Sequence, residues 1–184
     1  MHLLETYAIL SGTTIDKCFI EEEHIELPTN PFITLHSHNP KGSNRQYKYW
    51  NNVIADLKSV KNFNYDIIQI GGPDDIKSMA NTYYLGKTNY HSLAYIIKHS
   101  SLHMGFDSLP VHLASHYNKK MVVLYAHYAR NTRPYFSNDK DVVLLEPDHS
   151  IIKPVFGDKD PFDQINTINH NLITNNILKL LGLQ

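Results

Sequence analysis

Residues 104–125 read MGFDSLPVHLASHYNKKMVVLY. An apolar run stops at Gly105-Phe106-Asp107-Ser108, an eleven-residue stretch from Ser108 to Asn118 carries helical spacing, and a second apolar run follows two lysines. Pro110 fits the first turn of a helix, where a missing N–H costs nothing. Strand, tight turn, helix, strand is therefore the reading, and it is the repeating unit of a parallel sheet covered by helices.

The same alternation extends on both sides. PFITLHSH, residues 31–38, is a strand, rich in β-branched and aromatic residues. YKYWNNVIADLKSV, residues 47–60, repeats apolar side chains at Tyr49, Trp50, Val53, Ile54 and Leu57, which is helical spacing. YDIIQIGG, residues 65–72, is a strand that ends in a glycine pair. PDDIKSMAN, residues 73–81, suits a short helix, with Pro73 at its start and two acids in its first turn. TYYLG (82–86) is a third strand, TNYHSLAYIIKHS (88–100) a helix, and SLHMG (101–105) a fourth strand. KMVVLYA (120–126) and DVVLLEP (141–147) complete six strands. Residues 161–182 carry Ile165, Ile168, Leu172, Ile173, Ile177, Leu180 and Leu181 at helical spacing and read as one closing helix. Residues 2–11 form a first helix with an apolar stripe, stopped by Gly12; residues 13–31 are a connector with room for one short strand, and its acidic triplet Glu21–Glu23 reads as solvated. The expected fold is α/β, a Rossmann-like doubly wound parallel sheet. Residues 1–30 form a leading helix and connector, and 31–184 the Rossmann-like domain with its closing helix.

Composition narrows the function. The chain of 184 residues has a formal net charge of −1, from 17 basic and 18 acidic side chains, so no overall positive field draws nucleic acid or an anionic surface. A single cysteine, Cys18, leaves no intrachain disulfide and no cysteine-based zinc site. No apolar run of about 18 residues marks a membrane span, and the first ten residues lack a basic leader with an apolar core. The expected location is the cytoplasm. The twelve histidines include His36-x-His38 and His112-x-x-x-His116, but no Glu follows His112 as in the zinc-protease pattern. No metal is expected.

In an open parallel sheet the functional crevice lies at the carboxyl ends of the strands. Three loops should converge there: HSHNPKGSNR after the first strand, GGPDD after the second, and GFDS after the fourth. A helix starting near Ser108 offers unpaired N–H groups and the positive end of its dipole, which suits phosphate. Ser108 can cap that helix or donate to a phosphate oxygen, and His112 lies one turn on. Asp107 carries the wrong charge for phosphate and fits a turn or a sugar hydroxyl. The same Asp-Ser pair is also an ordinary helix start, and Gly71-Gly72 is also an ordinary loop.

DIIQIGGPDD, Leu85-Gly86-Lys87-Thr88 and Gly105-Phe106-Asp107-Ser108-Leu109-Pro110-Val111-His112-Leu113-Ala114 occur here in a fixed order. Their order and spacing resemble the C-terminal, donor-binding domain of the ADP-heptose:lipopolysaccharide heptosyltransferases, glycosyltransferase family nine, over roughly residues 31–182. The resemblance implies the C-terminal half of a GT-B fold and a nucleotide-diphosphate sugar as partner and donor substrate, with no cofactor and a metal-independent, inverting sugar transfer. It implies that Asp107, Ser108, the backbone at Leu109, and His112 meet the diphosphate-sugar. Ser37 with Lys41 or Arg45, Arg45 preferred, would reach the phosphates; Asp74 beside Gly71 and Gly72 would lie near the ribose, and Lys87 and Thr88 near the base. The family's glycine after Asp-Ser/Thr is Leu109 here. HLLETYAILSG (residues 2–12) resembles the segment before the family's interdomain linker, so the acceptor wall and general base would come from another chain or a homodimer partner. A non-catalytic nucleotide-binding module, or a scaffold that has lost the site, are the other readings.

Overall fold

The computed structural model describes residues 1–37, 46–126, 131–148 and 163–184. Among the described residues there are six strands: β1 (Phe32–His36), β2 (Asp66–Gly71), β3 (Thr82–Leu85), β4 (Leu102–Phe106), β5 (Lys120–Leu124) and β6 (Val142–Leu145). They form one all-parallel sheet in the order β3-β2-β1-β4-β5-β6. The helices are α1 (Leu3–Ser11), α2 (Trp50–Ser59), α3 (Tyr90–His99), α4 (Leu109–His116) and α5 (His170–Leu181). This is the doubly wound Rossmann-like architecture that the alternating pattern implies.

Both faces of the sheet are buried, which is why its strands read as unbroken apolar runs rather than as alternation. One layer sets Leu35, Ile67, Met104 and Val122 against Trp50, Ile54, Leu57, Ile173 and Ile177 of α2 and α5. The other sets Ile68, Ile70 and Val123 against Ile96, Ile97, Val111 and Ala114 of α3 and α4. Each fully buried aliphatic side chain contributes about 1.5–3 kcal/mol, so these two layers hold the fold.

Four local expectations are corrected. Residues 73–81 do not form a helix: they make a turn and an irregular run pinned by side chains of β2 and its loop. The connector 13–31 contains no strand. Its acidic triplet is exposed at Glu21 and Glu23, as expected, but two of its carboxylates are engaged: Glu22 takes Lys98 Nζ at 2.9 Å and the Tyr117 hydroxyl at 3.0 Å, and Glu23 accepts from Asn89 Nδ2 at 2.6 Å. The Lys98 ammonium, with help from Tyr117, holds the Glu22 carboxyl below its ordinary range despite some desolvation. The closing segment is a 3-10 turn at Gln164–Thr167 followed by α5, because Asn169 caps a new helix by accepting from Asn171 N at 2.9 Å. Its start at 161–162 lies outside the described residues.

Helix α1 ends on Gly12 in the left-handed region, as its sequence predicts, and carries a capping box, His2 with Glu5, that the sequence reading did not anticipate. None of its residues is buried, so the apolar stripe faces outward instead of into the core.

Candidate functional site

The strand order reverses between β1 and β4, and that switch point is where a parallel sheet opens a crevice. His36 is the last residue of β1 and pairs across the ladder with Gly105 of β4. A Cβ at residue 105 would lie 2.8 Å from the His36 carbonyl oxygen and 3.2 Å from its Cβ, so only glycine leaves His36 in place. Beyond β4 the chain turns through Asp107 and Ser108 into α4.

His36 organises the crevice. Its Nδ1 is 2.9 Å from Ser108 Oγ, its Nε2 is 3.9 Å from Asp75 Oδ2, and its ring lies 4.5 Å from that of Phe106. Asp75 is buried and also accepts from Gly72 N at 3.0 Å. Its carboxylate folds back over the end of β2, where a Cβ on Gly71 would come within 1.9 Å of Asp75 Oδ2. Beneath His36, His103 is fully buried, with Nδ1 2.9 Å from Thr34 Oγ1. Burial, reinforced by the neighbouring His36, drops His103 to about 3, so it is neutral near pH 7.

Ser108 occupies the N-cap position but makes no cap hydrogen bond, contrary to the expected capping role. Its hydroxyl instead lies 3.2 Å from the Phe106 carbonyl and pairs with His36. Val111 N donates to Ser108 O at 3.1 Å, and Pro110 has no N–H. The backbone N–H groups of Ser108 and Leu109 therefore stay unengaged among the described residues. The turn keeps two donors at the helix's positive end, and Pro110 withholds a third.

A cavity of about 350 Å³ opens here, lined by His36, Gly72, Asp75, Thr88, Ser108 and Leu109 among others. The structure thus brings together Gly71, Gly72, Thr88, Ser108 and Leu109 from the sequence-derived set. Asp107 and His112 stand beside it: His112 Nε2 is 3.8 Å from Asp107 Oδ1, and Thr132 Oγ1 donates to Asp107 Oδ2 at 3.4 Å. Burial pushes His112 down, against the opposing pull of Asp107. Ser37 is buried, accepts from Gln69 Nε2 at 2.9 Å, and lines an adjoining cavity of about 250 Å³ with Lys48 and Asn51. Lys48 reaches Asp163 across that cavity's rim. Asp74 and Lys87 are exposed and do not line the crevice; its acid is Asp75. Lys41 and Arg45 lie outside the described residues. Sequence reasoning missed His36, Asp75 and Gln69; the one available signal was the place of His36 at the end of β1.

A third cavity, of about 370 Å³, lies on the outer side of α4, where Leu109 separates it from the first. Its walls include Leu4, Tyr90, Tyr135 and Phe136, with His2 and His112. Among the described residues no helix is long and apolar enough to cross a membrane, and no cluster of histidine, cysteine and carboxylate side chains could hold a metal.

The family model for glycosyltransferase family 9 (heptosyltransferase) matches residues 38–156. No curated protein matches the chain by sequence. Among solved structures, the family 9 glycosyl transferase of Veillonella parvula superposes with a TM-score of 0.65 at 15% identity, covering 98% of this chain and 51% of that one. The E. coli ADP-heptose LPS heptosyltransferase II gives a TM-score of 0.61 at 12% identity over 97% of this chain and 51% of its own. The dodecameric iron-containing heptosyltransferase TibC, in complex with ADP-D-β-D-heptose, gives 0.67 at 14% identity over 93% and 51%. At these identities the likeness establishes the fold, and the chain spans about half the length of the structures it matches.

Proposed function

Since this chain belongs to glycosyltransferase family 9, the heptosyltransferase family, we propose that it binds a nucleotide-diphosphate sugar at the carboxyl edge of its sheet and serves as the donor-binding part of an inverting sugar transfer. The observation that carries this reading is the cavity at the β1–β4 switch point, with the uncommitted N–H groups of Ser108 and Leu109 facing a glycine-bounded opening. A diphosphate there would meet backbone donors, a helix dipole and the imidazole of His36. Asp107 and His112, just beyond the turn, suit a sugar's hydroxyls. Lys41 and Arg45 retain their role by resemblance.

Transfer to an acceptor also needs a base to take the acceptor's proton and a second wall to exclude water. Neither role is assigned to a described residue of this chain. A second reading, a nucleotide-binding module without transfer, is favoured by one observation: Leu109 sets a side chain into the cavity at the helix start, and Pro110 beside it has no N–H for a departing diphosphate.

Calorimetric titration with ADP, UDP and GDP tests the site, and release of ADP from ADP-heptose tests transfer. Saturable binding of one nucleotide is the expected result. No heat with any of the three at millimolar ligand would overturn the donor-site reading. Binding without ADP release on addition of lipopolysaccharide acceptor would leave the binding module.

A further inference from the structure

We infer that the cavity on the outer side of α4 is a second binding site, and that it takes a small, uncharged aromatic alcohol. The inference stands apart from the donor-site reading, and either can fail without the other.

Helix α4 carries two stripes. Val111 and Ala114 are fully buried in the layer beneath the helix. Leu109, His112, Leu113 and His116 follow at i, i+3, i+4 and i+7, share another face, and all line the cavity of about 370 Å³. The rest of the described wall includes Leu3 and Leu4 of α1 and the rings of Tyr90, Tyr135 and Phe136. Leu3, Leu4, Tyr90 and Leu109 remain 43%, 40%, 43% and 50% exposed, so the wall leaves apolar surface in water for an occupant to cover. An enclosed apolar cavity of about 150 Å³ already admits benzene. The space here has room for two fused rings with a substituent.

The chemistry of the wall selects the ligand. Among its described residues there is no Asp, Glu, Lys or Arg, so a charged ligand would enter without a counter-ion. Several of its polar groups are already committed. His2 accepts from Leu4 N through Nδ1 and meets the Arg133 carbonyl through Nε2, Ser115 Oγ accepts from Phe136 N at 2.9 Å, and Thr132 Oγ1 donates to Asp107 Oδ2. The imidazoles of His112 and His116 differ: neither ring makes a hydrogen bond among the described residues, and His112 Nε2 stands 3.8 Å from Asp107 Oδ1. An imidazole carries an N–H in either charge state, so each can donate to a hydroxyl oxygen. Two such rings suffice for one hydroxyl group and not for the many of a saccharide. Tyr135 and Phe136 pack edge to face with centroids 5.3 Å apart, an arrangement that a further ring extends.

The probe is 1-naphthol, titrated calorimetrically into the 184-residue chain. One saturable site of sub-millimolar affinity is expected. Cys18 is the only cysteine, is exposed and lines this cavity, so bound naphthol should slow its alkylation by iodoacetamide. It should also slow amide exchange across residues 3–11, whose helix supplies Leu3 and Leu4 to the wall. Phe136→Ala should weaken binding about tenfold, through lost apolar contact. His112→Phe or His116→Phe should abolish the preference for 1-naphthol over naphthalene while keeping the affinity for naphthalene. A preference retained in both variants would overturn the hydroxyl's assignment. With the wild-type protein alone, absence of saturable binding at millimolar naphthol, or binding that leaves Cys18 alkylation unchanged, would overturn the site. Equal affinity for 1-naphthoate would overturn the uncharged class, and displacement by methyl glucoside the aromatic one. Displacement by ADP would move the probe to the donor crevice and overturn the second site, whereas ADP binding alongside naphthol supports it.

Discussion

His103 shows what a single buried side chain can impose. It sits in β4, fully enclosed, with one ring nitrogen bonded to Thr34 and the other without a hydrogen-bond partner among the described residues. Burial lowers it from an ordinary 6.5 to about 3. Between those values the unfolded chain binds a proton that the native state refuses, so stability is full above 6.5 and is lost progressively as pH falls toward 3. The measurement is Tm against pH. The double variant Thr34→Val/His103→Leu removes both polar partners together and should show a shallower fall over that window; an identical slope would mean that His103 titrates freely in the native state. The same residue scale marks what the sequence could carry. Gly71, Gly72, Ser108 and Leu109 were legible because a strand end followed by a helix start has few geometries. Asp75 was not, since nothing in the order Asp74-Asp75 says which carboxylate folds inward; that is decided by the space over Gly71. His36 was hidden for a related reason: its partners, Ser108 and Asp75, are remote in sequence.

The segment after β2 makes the corresponding case for elements. Residues 73–81 have the composition of a short helix, but Gln69 of β2 intercepts their backbone. Its Nε2 donates to the Ile76 carbonyl at 2.7 Å, and its Oε1 accepts from Ser78 N at 2.7 Å and Ser78 Oγ at 2.9 Å. A fourth bond, to Ser37 Oγ, ties the first strand's loop to the second's. Local propensity for so short a helix is weak, and a buried amide with every position filled outweighs it. Strands and long helices were legible because their apolar period has to match a layer; this loop was not, because one polar side chain shapes it. Gln69→Leu should therefore act beyond its own site. Leaving four partners unsatisfied should destabilise the domain by about 1–3 kcal/mol or more, read from denaturant midpoints. It should also loosen residues 73–78, seen as faster amide exchange, and weaken nucleotide binding through Asp75. A loss of stability with exchange in 73–78 unchanged would assign the loop's shape to its own sequence.

Across the whole molecule, the sheet and its two apolar layers are one cooperative body, and α1 is attached to it at a single end. The six strands and helices α2 to α5 were readable because a doubly wound sheet buries both faces and leaves its period in every element. The stripe on α1 obeyed the same period without the burial that usually accompanies it: Tyr7, Ile9 and Leu10 are 58%, 69% and 78% exposed. An isolated helix of nine residues is marginal in water, so something outside its own hydrogen bonds must hold it. That anchor is His2, which is buried, caps α1 through Nδ1, contacts the Arg133 carbonyl through Nε2 at 2.8 Å, and lies 4.8 Å from the Tyr135 ring. Two substitutions separate anchor from stripe. Ile9→Ser/Leu10→Ser touches only exposed surface and should change global stability by no more than about 0.5 kcal/mol. His2→Ala should leave the sheet's Tm nearly unchanged yet remove amide protection across residues 3–11, because the cap and the docking contact vanish together. Amide exchange with Tm measured on the same samples distinguishes these outcomes. A large loss of stability in the double serine variant would show that the stripe is covered in solution, and retained protection in His2→Ala would move the anchor to the connector, where Lys17 reaches the His116 carbonyl at 2.7 Å.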